Sequence, residues 1–168
     1  MRSRYFFLGI LVGLLGCCGG VAFGQSQVGV YGTVGAENSG LTGQGWAAAG
    51  TIGMYVGLRD VGPLSVAVDG RGDFSRDTKS FLVGPRLALH APTIPVKPYG
   101  ELLIGVVRSN SQRIDTSDFS YRFVGGADVG VMPHLDWRVI EVSSGGGLSE
   151  PNKSVHTTTV SSGVVLRF

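Results

Sequence analysis

The chain has 168 residues, 43% of them hydrophobic and only 15% charged, which suits one core and is short for two domains. Gly fills 28 positions, more than double the roughly 7% share of ordinary chains, yet without collagen's three-residue period. The 14 Lys and Arg face 12 Asp and Glu, and two of the bases, Arg2 and Arg4, stand at the N-terminus; the remainder is neutral and has no clustered basic face, which excludes nucleic acid as a partner.

Residues 1–24 open with Arg2 and Arg4, run apolar from Tyr5 to Leu15, and end in the small residues Ala22 and Gly24 before Gln25 and Ser26. That order predicts a secretory signal peptide cleaved after Gly24, because the apolar stretch falls well short of the ~20 residues that a membrane-spanning helix needs. The mature part is then one domain, 25–168. A competing reading takes Leu14-Leu15-Gly16-Cys17, which resembles a bacterial lipobox, and makes Cys17 a lipidated N-terminus. Both cysteines, Cys17 and Cys18, lie in this segment, so a mature domain without disulfide, thiolate metal site or cofactor is expected.

From residue 27 onward apolar residues recur at every second position, which predicts strands throughout. The runs are 27–36, 46–58, 64–74, 79–91, 96–108, 119–131, 137–144 and 155–168. Leu64, Val66, Val68 and Phe74 face away from Asp69, Arg71 and Asp73 in the third; Phe81, Val83, Leu87 and Leu89 oppose Arg86 and His90 in the fourth. Leu102, Ile104 and Val106 oppose Tyr99 and Glu101 in the fifth, and Phe119, Tyr121, Phe123 and Val129 oppose Arg122 and Asp128 in the sixth. The seventh places Ile140 and Val142 opposite Trp137, Val139 and Glu141. In the last, Val160, Val164, Leu166 and Phe168 oppose Val165 and Arg167.

The connections around 37–45, 109–118 and 145–154 are long and polar, whereas those at 59–63, 75–78, 92–95 and 132–136 are short, so three of the four odd-numbered connections are long and all three even-numbered ones short. Strands threaded up and down a bilayer produce this alternation, with long loops outside and tight turns on the periplasmic side. Runs of this length cross hydrocarbon at a tilt of about 45°. The predicted fold is therefore all-β: an eight-stranded, antiparallel, up-and-down transmembrane β-barrel behind an N-terminal signal peptide. With the apolar face outward, Asp69, Arg71, Asp73, Arg86, Glu101, Arg122, Asp128, Glu141 and Arg167 enter the interior as a nearly neutral polar network. An eight-stranded interior is just wide enough for side chains to fill it, so these charges interlock rather than line a pore, and Gly29, Gly53, Gly105 and Gly126 leave room for the long Arg side chains. The inverse orientation describes a secreted, soluble lipocalin-like barrel. Against it, the mature chain has only three Lys and four Glu, and a lipid-facing Arg or Lys at the midplane costs roughly 2–4 kcal/mol, a position the proposed outer faces leave free of charge. Trp46, Phe74, Phe81, Phe119, Tyr121 and Phe168 fall at strand ends, where interfacial girdles belong.

Over residues 27–168 this pattern resembles the small OmpA/OmpX-type family of bacterial outer-membrane barrels. The ending, with Phe168 preceded at alternate positions by Leu166, Val164 and Val160, is similar to the assembly signal of that family's last strand, although Ser162 departs from the apolar pattern. The resemblance implies export to the outer membrane, handling by periplasmic chaperones and the β-barrel assembly machinery, and contact with outer-membrane lipid and lipopolysaccharide. It implies a structural or surface-interaction role without catalysis. A narrow porin, or an adhesin binding an extracellular ligand through the long loops, are the alternatives. The three histidines, His90, His134 and His156, fall on separate elements. Ser154 and His156 share parity near the outer rim, as do the Ser and His of PagL-type lipid A deacylases, but their order and spacing differ and no acid is placed to orient the ring.

Overall fold

The computed structural model describes residues 28–38, 45–76, 78–90, 95–111, 114–147 and 156–168. The expected signal peptide, the alternative site at Cys17, and Ser154 lie outside these residues. The described chain forms β1 (Val28–Asn38), β2 (Ala47–Val61), β3 (Leu64–Ser75), β4 (Thr78–Leu89), β5 (Val96–Ser111), β6 (Ile114–Met132), β7 (Leu135–Gly147) and β8 (Thr157–Arg167). Each strand pairs antiparallel with the next, and β8 returns to β1 to close the barrel in sequential order. At the seam the backbone of Phe168 donates to Val28 at 2.8 Å and accepts from it at 3.2 Å.

Burial separates the two faces. Asp69, Leu82, Leu103, Arg138 and Val165 have no exposed surface, while Ile52 is 64% exposed, Phe81 59% and Phe123 56%. Trp46, Phe74, Leu102, Ile104, Phe119, Ile140 and Leu166 share the outer surface with them. An apolar exterior around an ionic interior inverts a water-soluble protein, whose exposed apolar patches rarely exceed a few hundred Å², and it excludes the lipocalin-like orientation.

The end that carries the chain's first and last strand ends has tight turns. Val61 pairs with Leu64 around Gly62 and Pro63, and Gly62 adopts φ 60°, which glycine reaches without steric cost; Met132 pairs with Leu135 around Pro133 and His134. Arg59 to Val61 are thus strand residues rather than turn.

At the opposite end the expected loop 109–118 is instead a continuation of β5 and β6, paired as far as Ser111 with Ile114. Alternation of apolar and polar residues marks a strand only where one face meets hydrocarbon; the backbone ladder carries on past that boundary without it. A second correction concerns β7. Its register against β8 shifts between Arg138 and Glu141, so Trp137, Val139, Ile140 and Val142 all point outward while Asp136, Arg138 and Glu141 point in. The bulge inserts one residue and flips the phase, which regular alternation misassigns by setting Trp137 and Val139 with Glu141.

Ser162 belongs to this bulge. Its hydroxyl donates to the Arg138 carbonyl at 2.9 Å and accepts from Trp137 Nε1 at 3.2 Å. The break in the apolar pattern of β8 therefore satisfies a carbonyl that the irregular ladder leaves over. Ser162→Val is expected to lower stability by about 1–3 kcal/mol, the cost of a buried acceptor without a partner, read as an earlier urea midpoint; an unchanged midpoint would remove the serine from this role.

Candidate functional site

The interior places its charges in three tiers. In the middle tier, Arg71 from β3 donates through Nη1 to Glu141 Oε1 at 2.9 Å and through Nη2 to Glu101. Arg86 from β4 bridges Glu101 Oε1 at 2.6 Å and Asp128 Oδ2 at 2.9 Å. Arg138 from β7 donates through Nε to Asp128 Oδ1 at 2.9 Å and through Nη1 to Glu141 Oε2 at 2.8 Å. The order Arg71, Glu101, Arg86, Asp128, Arg138, Glu141 closes on itself, a ring of alternating sign fed by five strands. Asp69 joins it through Arg71 Nε at 3.5 Å and accepts from the Tyr31 hydroxyl at 2.8 Å. Buried charges are tolerated only when paired and hydrogen-bonded, and here each carboxylate of the ring meets two guanidinium groups.

Tyrosine rings flank the ring of charge. Arg86 lies over Tyr99 at 3.7 Å from its centroid and over Tyr55 at 4.5 Å; Arg138 lies over Tyr31 at 4.2 Å and Tyr99 at 4.6 Å. Tyr99 also donates to Glu141 Oε2 at 2.6 Å. The inward glycines hold these rings rather than the arginines. A Cβ on Gly29 would stand 2.2 Å from the Tyr55 ring, on Gly53 2.4 Å from Tyr31, and on Gly126 2.5 Å from the Tyr99 hydroxyl, and each glycine is the direct cross-strand partner of its tyrosine. Gly105 has another role: its Cβ would lie 2.0 Å from the Phe81 carbonyl oxygen, a close approach of neighbouring backbones that the tight curvature of a small barrel demands.

Towards the rim with the longer connections, Arg122 donates to Asp73 at 2.6 Å, which also accepts from Thr51 at 2.8 Å and Ser80 at 2.9 Å. At the rim with tight turns, Asp136 holds Lys97 at 3.0 Å and Arg167 at 2.8 Å. All nine charged residues expected inside face inward, Arg167 only partly buried at the mouth. Sequence reasoning missed Asp136, Arg138, Lys97 and Glu37. Asp136 was expected in a turn and Arg138 was concealed by the bulge. Lys97 sits one residue into β5, and Glu37, expected in a loop, is buried and accepts from Thr78 at 3.0 Å.

Cavities lie on either side of the charged ring, about 150 Å³ beside Asp73 and Arg122 and about 20 Å³ beside His90 and Asp136. The smaller holds little more than one water. No group of described residues could hold a metal ion. His90 follows β4, His134 occupies the β6–β7 turn, and His156 precedes β8 at the opposite rim; they do not converge.

Burial, reinforced by the positive charges of Lys97 and Arg167, holds His90 below its ordinary value. An unfolded histidine takes up a proton near pH 6.5, so the unfolded chain binds more protons just below that pH and stability falls as pH drops through this window. His90→Gln is expected to flatten that part of a stability-against-pH curve measured by denaturant titration; an unchanged slope would contradict the assignment.

No family model matches the chain, and no curated protein resembles it in sequence. Among solved structures it is similar to Neisserial surface protein A, NspA, at TM-score 0.57 and 18% identity, covering 85% of this chain and 97% of that one. The outer membrane enzyme PagL is similar at TM-score 0.58 and 13% identity, over 82% of this chain and 98% of that one. A de novo designed transmembrane β-barrel is similar at TM-score 0.56 and 15% identity, over 84% of this chain and 95% of that one. The fold is that of the eight-stranded outer-membrane barrels, and the apolar exterior is that of a transmembrane β-barrel.

Proposed function

We propose that this chain is an integral protein of the bacterial outer membrane with a structural or surface-interaction role, closed to solutes and without catalysis. The closed ring of Arg71, Glu101, Arg86, Asp128, Arg138 and Glu141 carries this reading, because it fills the waist of a cylinder whose outside suits only lipid. A narrow porin would need a continuous wet path, and the fully buried side chains of Arg71, Arg138 and Asp69 stand across it. The likeness to the OmpA/OmpX-type family supports export by residues 1–24, handling by periplasmic chaperones and the assembly machinery, contact with lipopolysaccharide, and an extracellular ligand held by the longer connections. Val164, Leu166 and Phe168, exposed on the outer face of the closing segment, are the residues we assign to the assembly signal.

Two measurements test the proposal. The protein is expected in the outer-membrane fraction with heat-modifiable gel migration, since a closed barrel resists detergent until boiled; recovery in the soluble periplasm would overturn it. In planar bilayers it is expected to be electrically silent, and steady single-channel steps would replace the plug with a conduit.

A further inference from the structure

The larger cavity, about 150 Å³ between the charged ring and the rim with the longer connections, carries groups that a plug does not require. Glu37 of β1 and Asp118 of β6 line it from facing walls, three strands apart around the cylinder. Arg122 lines it too, but its guanidinium is held by Asp73 at 2.6 Å. Glu37 is buried and accepts from the Thr78 hydroxyl, and among the described residues no cation pairs with it or with Asp118. Carboxylates withdrawn from water call for a positive partner. Two hydroxyls point the same way. Ser120, 4% exposed, stands in the cavity wall without a hydrogen bond to any described residue. Thr159, 8% exposed, is the direct cross-strand partner of Glu37, and its hydroxyl has no partner among the described residues. Buried polar groups of native proteins are nearly all hydrogen-bonded, so orphaned hydroxyls beside two acids mark a space made for a polar guest.

We propose that this cup holds a small organic dication, a short aliphatic diamine, with one ammonium on Glu37 and the other on Asp118. The inference rests on the outer-membrane reading above and places the extracellular ligand inside the barrel mouth. A cavity of this volume accepts a molecule of about six non-hydrogen atoms, the size of a four-carbon diamine. An ammonium has three donors and no acceptor, so each end can meet a carboxylate through a charge-assisted hydrogen bond and still donate to a hydroxyl such as that of Ser120. The balance of charge excludes an anion, because the one arginine in the wall is already paired. The described residues offer no group of ligands for a metal ion, which favours an organic cation. The charged ring closes the floor, so a guest enters and leaves by the same mouth and the barrel stays electrically silent.

The test uses the full chain folded in neutral detergent micelles, checked for heat-modifiable migration and titrated by calorimetry. The probes are putrescine, the neutral butanediol of the same length, and magnesium chloride. The wild type is expected to bind one putrescine and no diol. Glu37→Gln, which keeps an oxygen for Thr78, and Asp118→Asn are each expected to weaken binding about tenfold, the equivalent of one lost charge-assisted contact. Asp60→Asn, at the opposite rim, is expected to leave binding unchanged. Unaltered affinity in both carboxamide variants, or equal binding of the diol, would overturn the proposal, and displacement of putrescine by magnesium at matched ionic strength would overturn it in favour of a metal site. Ser120→Ala, expected to weaken binding severalfold, repeats the comparison if Glu37→Gln folds poorly. A wild type that shifts on heating but binds no putrescine overturns this site alone; one that does not shift overturns the outer-membrane reading with it.

Discussion

Arg138→Ala is expected to destabilise the folded barrel by about 3–5 kcal/mol, the cost of removing one member of a buried charge network. Arg138 is completely buried and serves two acids, Asp128 through Nε and Nη2 and Glu141 through Nη1, while its guanidinium covers the Tyr31 ring. Without it, Asp128 keeps Arg86, and Glu141 keeps Arg71 and the Tyr99 hydroxyl. The penalty comes from stranding carboxylates where water cannot reach them, not from the intrinsic worth of an ion pair. A double variant that also carries Asp128→Asn should therefore lose less than the two single effects added together, as coupled neighbours do. Urea unfolding in detergent micelles, followed by tryptophan fluorescence, supplies both quantities. A loss below about 1 kcal/mol, the worth of a typical exposed pair, would mean that water enters the waist and that the plug is porous.

Gly84→Ala is expected to prevent the heat-modifiable form from accumulating, or to cost about 3 kcal/mol or more if the barrel still closes. A Cβ there would stand 1.9 Å from the Leu102 carbonyl oxygen and 3.0 Å from the Leu103 Cα. These are backbone atoms of the neighbouring strand and cannot swing aside as a side chain does. Gly84 precedes Pro85, and neither has a Cα partner in the β4–β5 register, which runs from Val83 with Ile104 directly to Arg86 with Glu101. Proline has no N–H for the ladder, so the close approach at Gly84 keeps two weakly joined strands together. Gly70→Ala is the matching control: nothing lies within 4 Å of the atom it would add. If both substitutions behave alike in refolding yield, the crowding at Gly84 is not what holds β4 against β5.

The strands were legible because lipid on one side and ions on the other impose a period of two, and eight runs with alternating connection lengths admit few topologies besides an up-and-down barrel. Asp69 and Arg71 in β3, or Arg86 in β4, sit in unbroken alternation, so their inward direction follows from their neighbours. Arg138 was illegible for a specific reason: the bulge beside it changes the parity of β7, and its stabilising partner, Ser162, lies on another strand. The extra length of β5 and β6 was hidden because their last pairs, up to Ser111 and Ile114, gain nothing from hydrophobic patterning. The ring itself was out of reach. Alternation tells that Glu101 and Glu141 point inward, but which arginine each meets depends on how far the strands are staggered around the cylinder, and a period of two carries no record of that stagger.

The seam between β1 and β8 joins Val28 to Phe168, the two ends of the described chain. Neither strand has a hydrogen-bonding neighbour on that side until the other arrives, and hydrocarbon supplies no substitute. Insertion one hairpin at a time would leave an open edge at every intermediate stage, each with its row of unmet amides and carbonyls. The ionic ring imposes the same condition, since it draws on strands from β3 through β7 and balances only when all are present. Assembly is then cooperative and late-committing: a nascent sheet must wait at the bilayer surface, nearly whole, before it goes in.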